Sequence, residues 1–355
     1  MIQTVLGKID KPSLGNTAPH EHIFIDFTTR FVKPDDYLLS KSDTEKVSMR
    51  NLGLLRRNPH ALKDNLILND YAVAREEIME FKYAGGGTIV DVTNVGLGRT
   101  PQALRRLAID TGVGIIMGCG YFQSSTHPED MDTRSIEGIS EEIVSDILIG
   151  VGTTGVKSGV IGEIAVSPRM HPNEEKVIAA ASIAQKRTGC GMHIHIFDWA
   201  LDGNRFPLGL RALDIAEANG ANPAKVAINH MDVAAGIDLE YCREVAKRGA
   251  YIEFDNFGNE FYIDKPRRRF LPGPLETDIN RVRALKALIE EGYIKQLLVS
   301  CDVCKKCLLH AYGGWGYDHI LTNIVHMMRE EGFDEHMIEE LLRLNPADFL
   351  DSELV

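Results

Sequence analysis

Gly159-Val160-Ile161-Gly162-Glu163-Ile164 is followed by an amphipathic run from Glu174 to Arg187, a glycine at Gly189 and then Gly191-Met192-His193-Ile194-His195. A short apolar stretch, a segment with apolar residues at three and four spacing, and a second apolar stretch read as strand, helix and strand. Parallel strands joined this way take a right-handed crossover. Each strand of the pair ends on a residue able to bind a cation, Glu163 in one and His195 in the other.

The same rhythm runs along the chain on both sides of this unit. After a short hairpin at Thr4-Val5-Leu6-Gly7-Lys8-Ile9, a first strand ends at His20 to His22. Thr88-Ile89-Val90-Asp91-Val92-Thr93 and residues 114–120 supply the second and third strands. Residues 225–230, 250–255 and 296–302 supply the sixth to the eighth. Helical stretches such as Asp70 to Tyr83 and Arg281 to Glu291 separate them, and several stop at a glycine, as at Gly85, Gly112 and Gly249. Eight alternating units close most simply into an α/β fold of the (β/α)8 TIM-barrel type, with functional residues at the carboxyl ends of the strands. A chain of 355 residues fits one such barrel, so a single domain over residues 1–355 is the expectation.

Hydrophobic residues make up 44% and charged residues 25%, as in an ordinary soluble globular protein. The net charge of -12 argues against a nucleic-acid surface, which needs a basic face. No apolar run approaches the ~20 residues of a membrane span, and Met1-Ile2-Gln3-Thr4 opens no secretory signal. A cytoplasmic location is the default that follows. Six cysteines, three of them clustered, read as reduced thiols.

Pro19-His20-Glu21-His22 carries the chemistry. Residues two apart on a strand share a face, so His20 and His22 can reach one cation, although a polar strand end bonded to backbone would look the same. The other strand ends decide between the two. Glu163 on the fourth strand, His195 on the fifth, His230 on the sixth and Asp302 on the eighth all reach the same rim. Four imidazoles and two carboxylates exceed one tetrahedral zinc and suit two ions ~3.5–4 Å apart that share a carboxylate.

With these residues in place the chain resembles the phosphotriesterase family of the amidohydrolase superfamily, nearly end to end. Gln3-Thr4-Val5-Leu6-Gly7, Gly85-Gly86-Gly87, the run from Gly159 to Ile164 and the run from Tyr312 to Asn323 read like its phosphotriesterase-related branch. The resemblance implies that His20, His22 and Asp302 hold a buried metal and that His195 and His230 hold a second. Glu163 then stands where founding members carry a carboxylated lysine, and Lys157 is an ordinary residue. Asp302 would also act catalytically, taking the proton of a metal-bridging hydroxide that attacks a carbonyl. Zinc is the expected ion, with manganese, cobalt and iron compatible with the ligands. The implied substrate is a small amide or lactone, such as an N-acyl amino acid, an N-acyl amino-sulfonic acid or a sugar lactone. An organophosphate triester is the alternative, and a barrel that binds metal or ligand without turnover is a second. A small-molecule substrate is the expected partner, with a homodimer left open and neither nucleic acid nor membrane involved.

Other residues carry weaker signals. Asp255, Cys304 and Arg267 are candidate substrate contacts, the last within the basic run Lys265 to Arg269. Glu253 and Asp255 on strand seven could orient substrate, relay protons or equally form a polar barrel layer, Asp232 could support a ligand, and His193 reads as barrel interior. His127, His310, His319 and His326 read as satisfied or solvated side chains. Cys301, Cys304 and Cys307 have a spacing known from iron-sulfur sites, but they straddle Asp302; Cys304 and Cys307 are expected to line a pocket instead. The long segments 28–68 and 257–277 leave carboxyl strand ends, so they are expected over the mouth, with an oligomer contact as the plainer reading.

Overall fold

The computed structural model describes residues 1–33, 44–196, 207–233, 236–263 and 273–352. Eight parallel strands form a (β/α)8 barrel. They are Asn16–Glu21, Gly86–Asp91, Gly114–Met117, Ile161–Ala165, Met192–His195, Val226–Ile228, Tyr251–Phe254 and Leu297–Val299, taken below as the first to the eighth. Regular ladders join the first three and the last five. The two seams are closed by individual bonds. Between the third and fourth strands, Gly159 N donates to Met117 O at 2.9 Å and Gly162 N to Cys119 O at 2.7 Å. Between the eighth and first, the Ser300 hydroxyl accepts the His20 N–H at 3.1 Å and lies 2.9 Å from His20 O. The third seam residue Gly118 has to be glycine, because a Cβ there would strike the carbonyl of Gly162.

Helices return the chain from each strand to the next. Tyr71–Tyr83 starts at Asp70, whose carboxylate accepts from Ala72 N and Val73 N. Pro172–Thr188 begins two residues before the Glu174 expected from periodicity, because Pro172 fits the first turn and His171 with Glu174 closes a reciprocal cap. It ends at Gly189 with φ 71°, a left-handed conformation that glycine adopts without cost.

The core has two parts. One packs helices onto the outside of the sheet; the other fills the amino-terminal half of the barrel with Val90, Ile116, Val160, Ala227, Leu298 and their neighbours. Phe349, from the helix Asn345–Leu350, joins this interior, its ring 4.9 Å from that of His193 and 5.3 Å from that of Tyr251. An apolar base of this kind leaves the polar strand residues to gather at the opposite rim. Strands six and eight are shorter than expected, since His230 (φ 60°) and Asp302 (φ 47°) leave the extended conformation. Left-handed backbone at non-glycine residues persists where surrounding contacts enforce it.

Of the two long segments, 34–43 and 264–272 lie outside the described residues. The described parts do reach the mouth. Ile25–Asp26 pairs with Ile67–Leu68 at the root of the first, and Phe27 just before it, with Arg30, Pro59 and His60 from it, lines a cavity with Phe261 and Leu275 from the second. No helix among the described residues is long and apolar enough to cross a membrane.

Candidate metal centre

The six strand-end residues converge on Glu163. Its Oε1 lies 2.6 Å from His195 Nδ1, 3.1 Å from His230 Nε2 and 3.4 Å from His20 Nε2, while its Oε2 is 3.9 Å from His22 Nε2. Asp302 Oδ1 completes the ring, 3.4 Å from His22 Nε2 and 4.0 Å from His20 Nε2. All six side chains are buried or nearly so, and Asp302 at 15% is the most exposed. His20 Nε2 points into this cluster with no hydrogen-bond partner, as a buried ligand atom waiting on a cation would. Oxygen and imidazole donors at these separations fit divalent ions.

The far side of three of the four imidazoles is held. His22 Nδ1 meets Thr93 Oγ1 at 2.8 Å, and His230 Nδ1 meets Asp255 Oδ1 at 2.8 Å. His20 Nδ1 lies 3.2 Å from Glu253 Oε2, which also faces His193 Nδ1 at 2.9 Å. Such partners fix ring orientation and raise ligand basicity. Glu21, the residue between the two histidines, was not singled out in the sequence, yet it shapes the site. Its buried carboxylate accepts from Ser300 Oγ at 2.7 Å, Cys301 N at 2.9 Å and Val303 N at 2.8 Å. It thereby brackets Asp302 and holds its left-handed turn. Asp91 does the same beside His22, accepting from Ile23 N and Thr93 N. An acid between two ligands on one strand was the available signal.

The charges are tightly matched. Burial works against ionisation of Glu163, but His195, His20 and His230 hold its carboxyl well below the usual range. Burial likewise opposes a charged His20, and Asp255, Glu163 and Glu253 still raise it well above the usual imidazole value. His230, opposed by burial and supported by Asp255 and Glu163, is raised to about 10. Burial pushes His195 down to about 4. Asp302 resists burial through His22, His20 and His230 and stays below the ordinary carboxyl value. Cation binding would displace the imidazole protons that these carboxylates retain.

Asp255 is corrected as a candidate substrate contact. It is fully buried beneath His230, whose N–H it accepts at 3.0 Å, and it faces histidines with both oxygens. Cys304 does line the cavity, whereas Cys307 is tied to Asn65, accepting from Nδ2 at 3.4 Å and donating its N–H to Oδ1 at 2.9 Å. No cysteine takes part in a metal-competent cluster among the described residues. Arg267 lies outside the described residues. His193 is buried inside the barrel, and Asp232 accepts from Arg281 Nε at 2.8 Å while it positions Asn256. His127, His310 and His319 bond Phe122 O, Asp318 and Asp278, and His326 is exposed. Lys157 precedes the fourth strand, at the barrel end away from the cluster.

The cavity over the cluster was only partly foreseen. His195, His230 and Asp302 form its floor, and Phe27, Ile196, Val233, Phe261 and Leu275 its apolar wall. Arg30, His60 and Lys305 also line it, and nothing in the periodicity of the chain had marked them.

The whole chain has relatives. The model of the phosphotriesterase family matches residues 1–350. The N-acetyltaurine hydrolase of Xenopus tropicalis is 35% identical over 350 residues, which cover 98% of this chain and 97% of that protein. A resiniferatoxin-binding protein from Rhodobacter sphaeroides superposes with a TM-score of 0.92 at 34% identity, covering 99% of this chain and 94% of the other. The phosphotriesterase homology protein of Escherichia coli, whose structure has phosphate in the active site, gives a TM-score of 0.76 at 27% identity, with 96% and 99% covered.

Proposed function

We infer that this chain, which belongs to the phosphotriesterase family, hydrolyses the amide bond of a small N-acyl compound with two divalent cations held by the cluster around Glu163. In this reading His20, His22 and Asp302 would hold one cation, His195 and His230 would hold the second, and Glu163 would contribute to both. Zinc suits the ligand set best. Once bound, the pair supplies an activated water and an electrophilic pull on the scissile carbonyl.

The remaining steps fall to the protein. Asp302 directs Oδ1 at His22, while Oδ2 faces the cavity side, 3.6 Å from the Cys304 thiol. It takes the proton from the attacking water and returns it to the departing amine. Asp255, Glu253 and Thr93 keep the imidazoles oriented, so the geometry does not have to be rebuilt during reaction. The apolar wall excludes bulk water and strengthens the electrostatics inside.

The observation that carries this reading is the convergence of four histidines and two carboxylates from five strand ends, in a chain 35% identical to an amide hydrolase. Purified enzyme offered an N-acyl amide, a lactone and a phosphotriester should show its highest kcat/KM on the amide. A lactone or triester cleaved orders of magnitude faster would overturn the amide assignment and leave the metal mechanism standing.

A further inference from the structure

Amide hydrolysis requires the cluster and a dry wall, but the cavity also carries positive charge. Among its other polar residues, Asn259 Nδ2 is committed to Cys301 O at 2.9 Å, and Asn256 Nδ2 donates to Asp255 at 2.6 Å and Asp232 at 3.2 Å. Lys305 is differently placed. Its side chain is buried, its Nζ donates to Cys304 Sγ at 2.9 Å, and among the described residues no carboxylate lies within 4.0 Å of it.

Arg30 enters the same cavity from the first long segment. It is buried, its guanidinium lies 5.6 Å from the Phe27 ring centre and 5.8 Å from that of Phe122, and Nη2 donates to the amide oxygen of Gln123 at 2.7 Å. His60 lines the cavity as well, and its ring nitrogens have no hydrogen-bond partner among the described residues. Burial, then Lys305, then Arg30 hold it well below the usual imidazole range, so both cations act on the same ring. A buried ammonium such as that of Lys305 is costly unless an anion meets it. Lys305 borders the space a substrate must occupy, and Arg30 lines the same space.

We propose that Arg30 and Lys305, with His60 beside them, form an anion subsite that binds the acid group of the substrate, a sulfonate or a carboxylate, and so determine specificity. The identity of the substrate rests on the amide reading; the subsite itself rests on the cavity. Guanidinium and ammonium groups bind both anions through charge-assisted hydrogen bonds.

Three substrates of matched length test this: N-acetyl-2-aminoethanesulfonate, N-acetyl-β-alanine and the neutral N-acetylethanolamine. The wild-type enzyme should favour one of the two anions over the neutral compound by at least about a hundredfold in kcat/KM. In Lys305→Met and Arg30→Met that ratio should fall by at least about tenfold, mainly through KM, and Lys305→Arg should recover most of it. The two anionic arms tell sulfonate from carboxylate. A wild-type enzyme without preference, or a ratio unchanged in both variants, would overturn the proposal. Calorimetric titration of the metal-loaded enzyme with ethanesulfonate and propionate separates this from the amide reading. Binding of either anion that weakens at least about tenfold in Lys305→Met supports the subsite even when no amide is cleaved, in which case the amide reading alone fails. Neither anion weakened would overturn the subsite.

Discussion

The floor and the mouth of the barrel are built on different principles. On the floor four of the six metal-facing groups are bracketed: His22 by Thr93, His230 by Asp255, His20 by Glu253, and Asp302 by the backbone bonds that Glu21 accepts. At the mouth the residues come from loops, share an apolar wall, and include the buried cations Arg30 and Lys305. Strand ends fix the position of a reacting group far better than loops do. The difference teaches that the chemistry is set by the scaffold, while the choice of substrate is left to segments that can vary without disturbing it.

That contrast can be broken most sharply at its centre. Glu163→Gln removes the charge that faces three histidines and should lower metal content and cut turnover by roughly a thousandfold or more, as measured by elemental analysis and kcat. Full activity in that variant would end the bridging role. Asp302→Asn keeps shape but loses the proton acceptor, so kcat should fall by about a hundredfold to ten-thousandfold; near-normal turnover would remove Asp302 from catalysis. One layer further out, Asp255→Asn should cost about 10-fold to 100-fold in metal affinity or activity, read by competition with a chelator. An unchanged affinity would mean that His230 is oriented by something else.

At the mouth the effects should be smaller and of another kind. Phe261→Ala opens the apolar wall and should raise KM several-fold, with two metal equivalents per chain retained. A lost equivalent there would show that floor and mouth are not separable. Cys304→Ser is the mildest change. It should leave metal content where it was, and loss of an equivalent would revive a metal role for the cysteines.

The barrel was legible because alternating apolar strands and amphipathic helices leave a period in the sequence, and because Gly85, Gly112, Gly189 and Gly249 punctuate the helices. The metal-facing residues were legible because ligands at strand ends share a rim in this fold. Strand lengths were less so. His230 and Asp302 read as extended residues, yet contacts from Asp255 and from Glu21 around them hold both in left-handed backbone. Asp255 read equally as a substrate contact or a polar barrel-layer residue, and only the folded chain shows that it turns beneath His230. Arg30, His60 and Lys305 were not legible at all, since long-range tracing of the loops, not local pattern, brings them to one cavity.

The most direct test of the binuclear mechanism is metal content per chain in protein purified without chelators, followed through chelation and reconstitution alongside turnover of an N-acyl amide. Two equivalents, with activity lost on chelation and restored by zinc, is the expected result. Turnover that survives complete metal removal, or one equivalent at full activity, would contradict it.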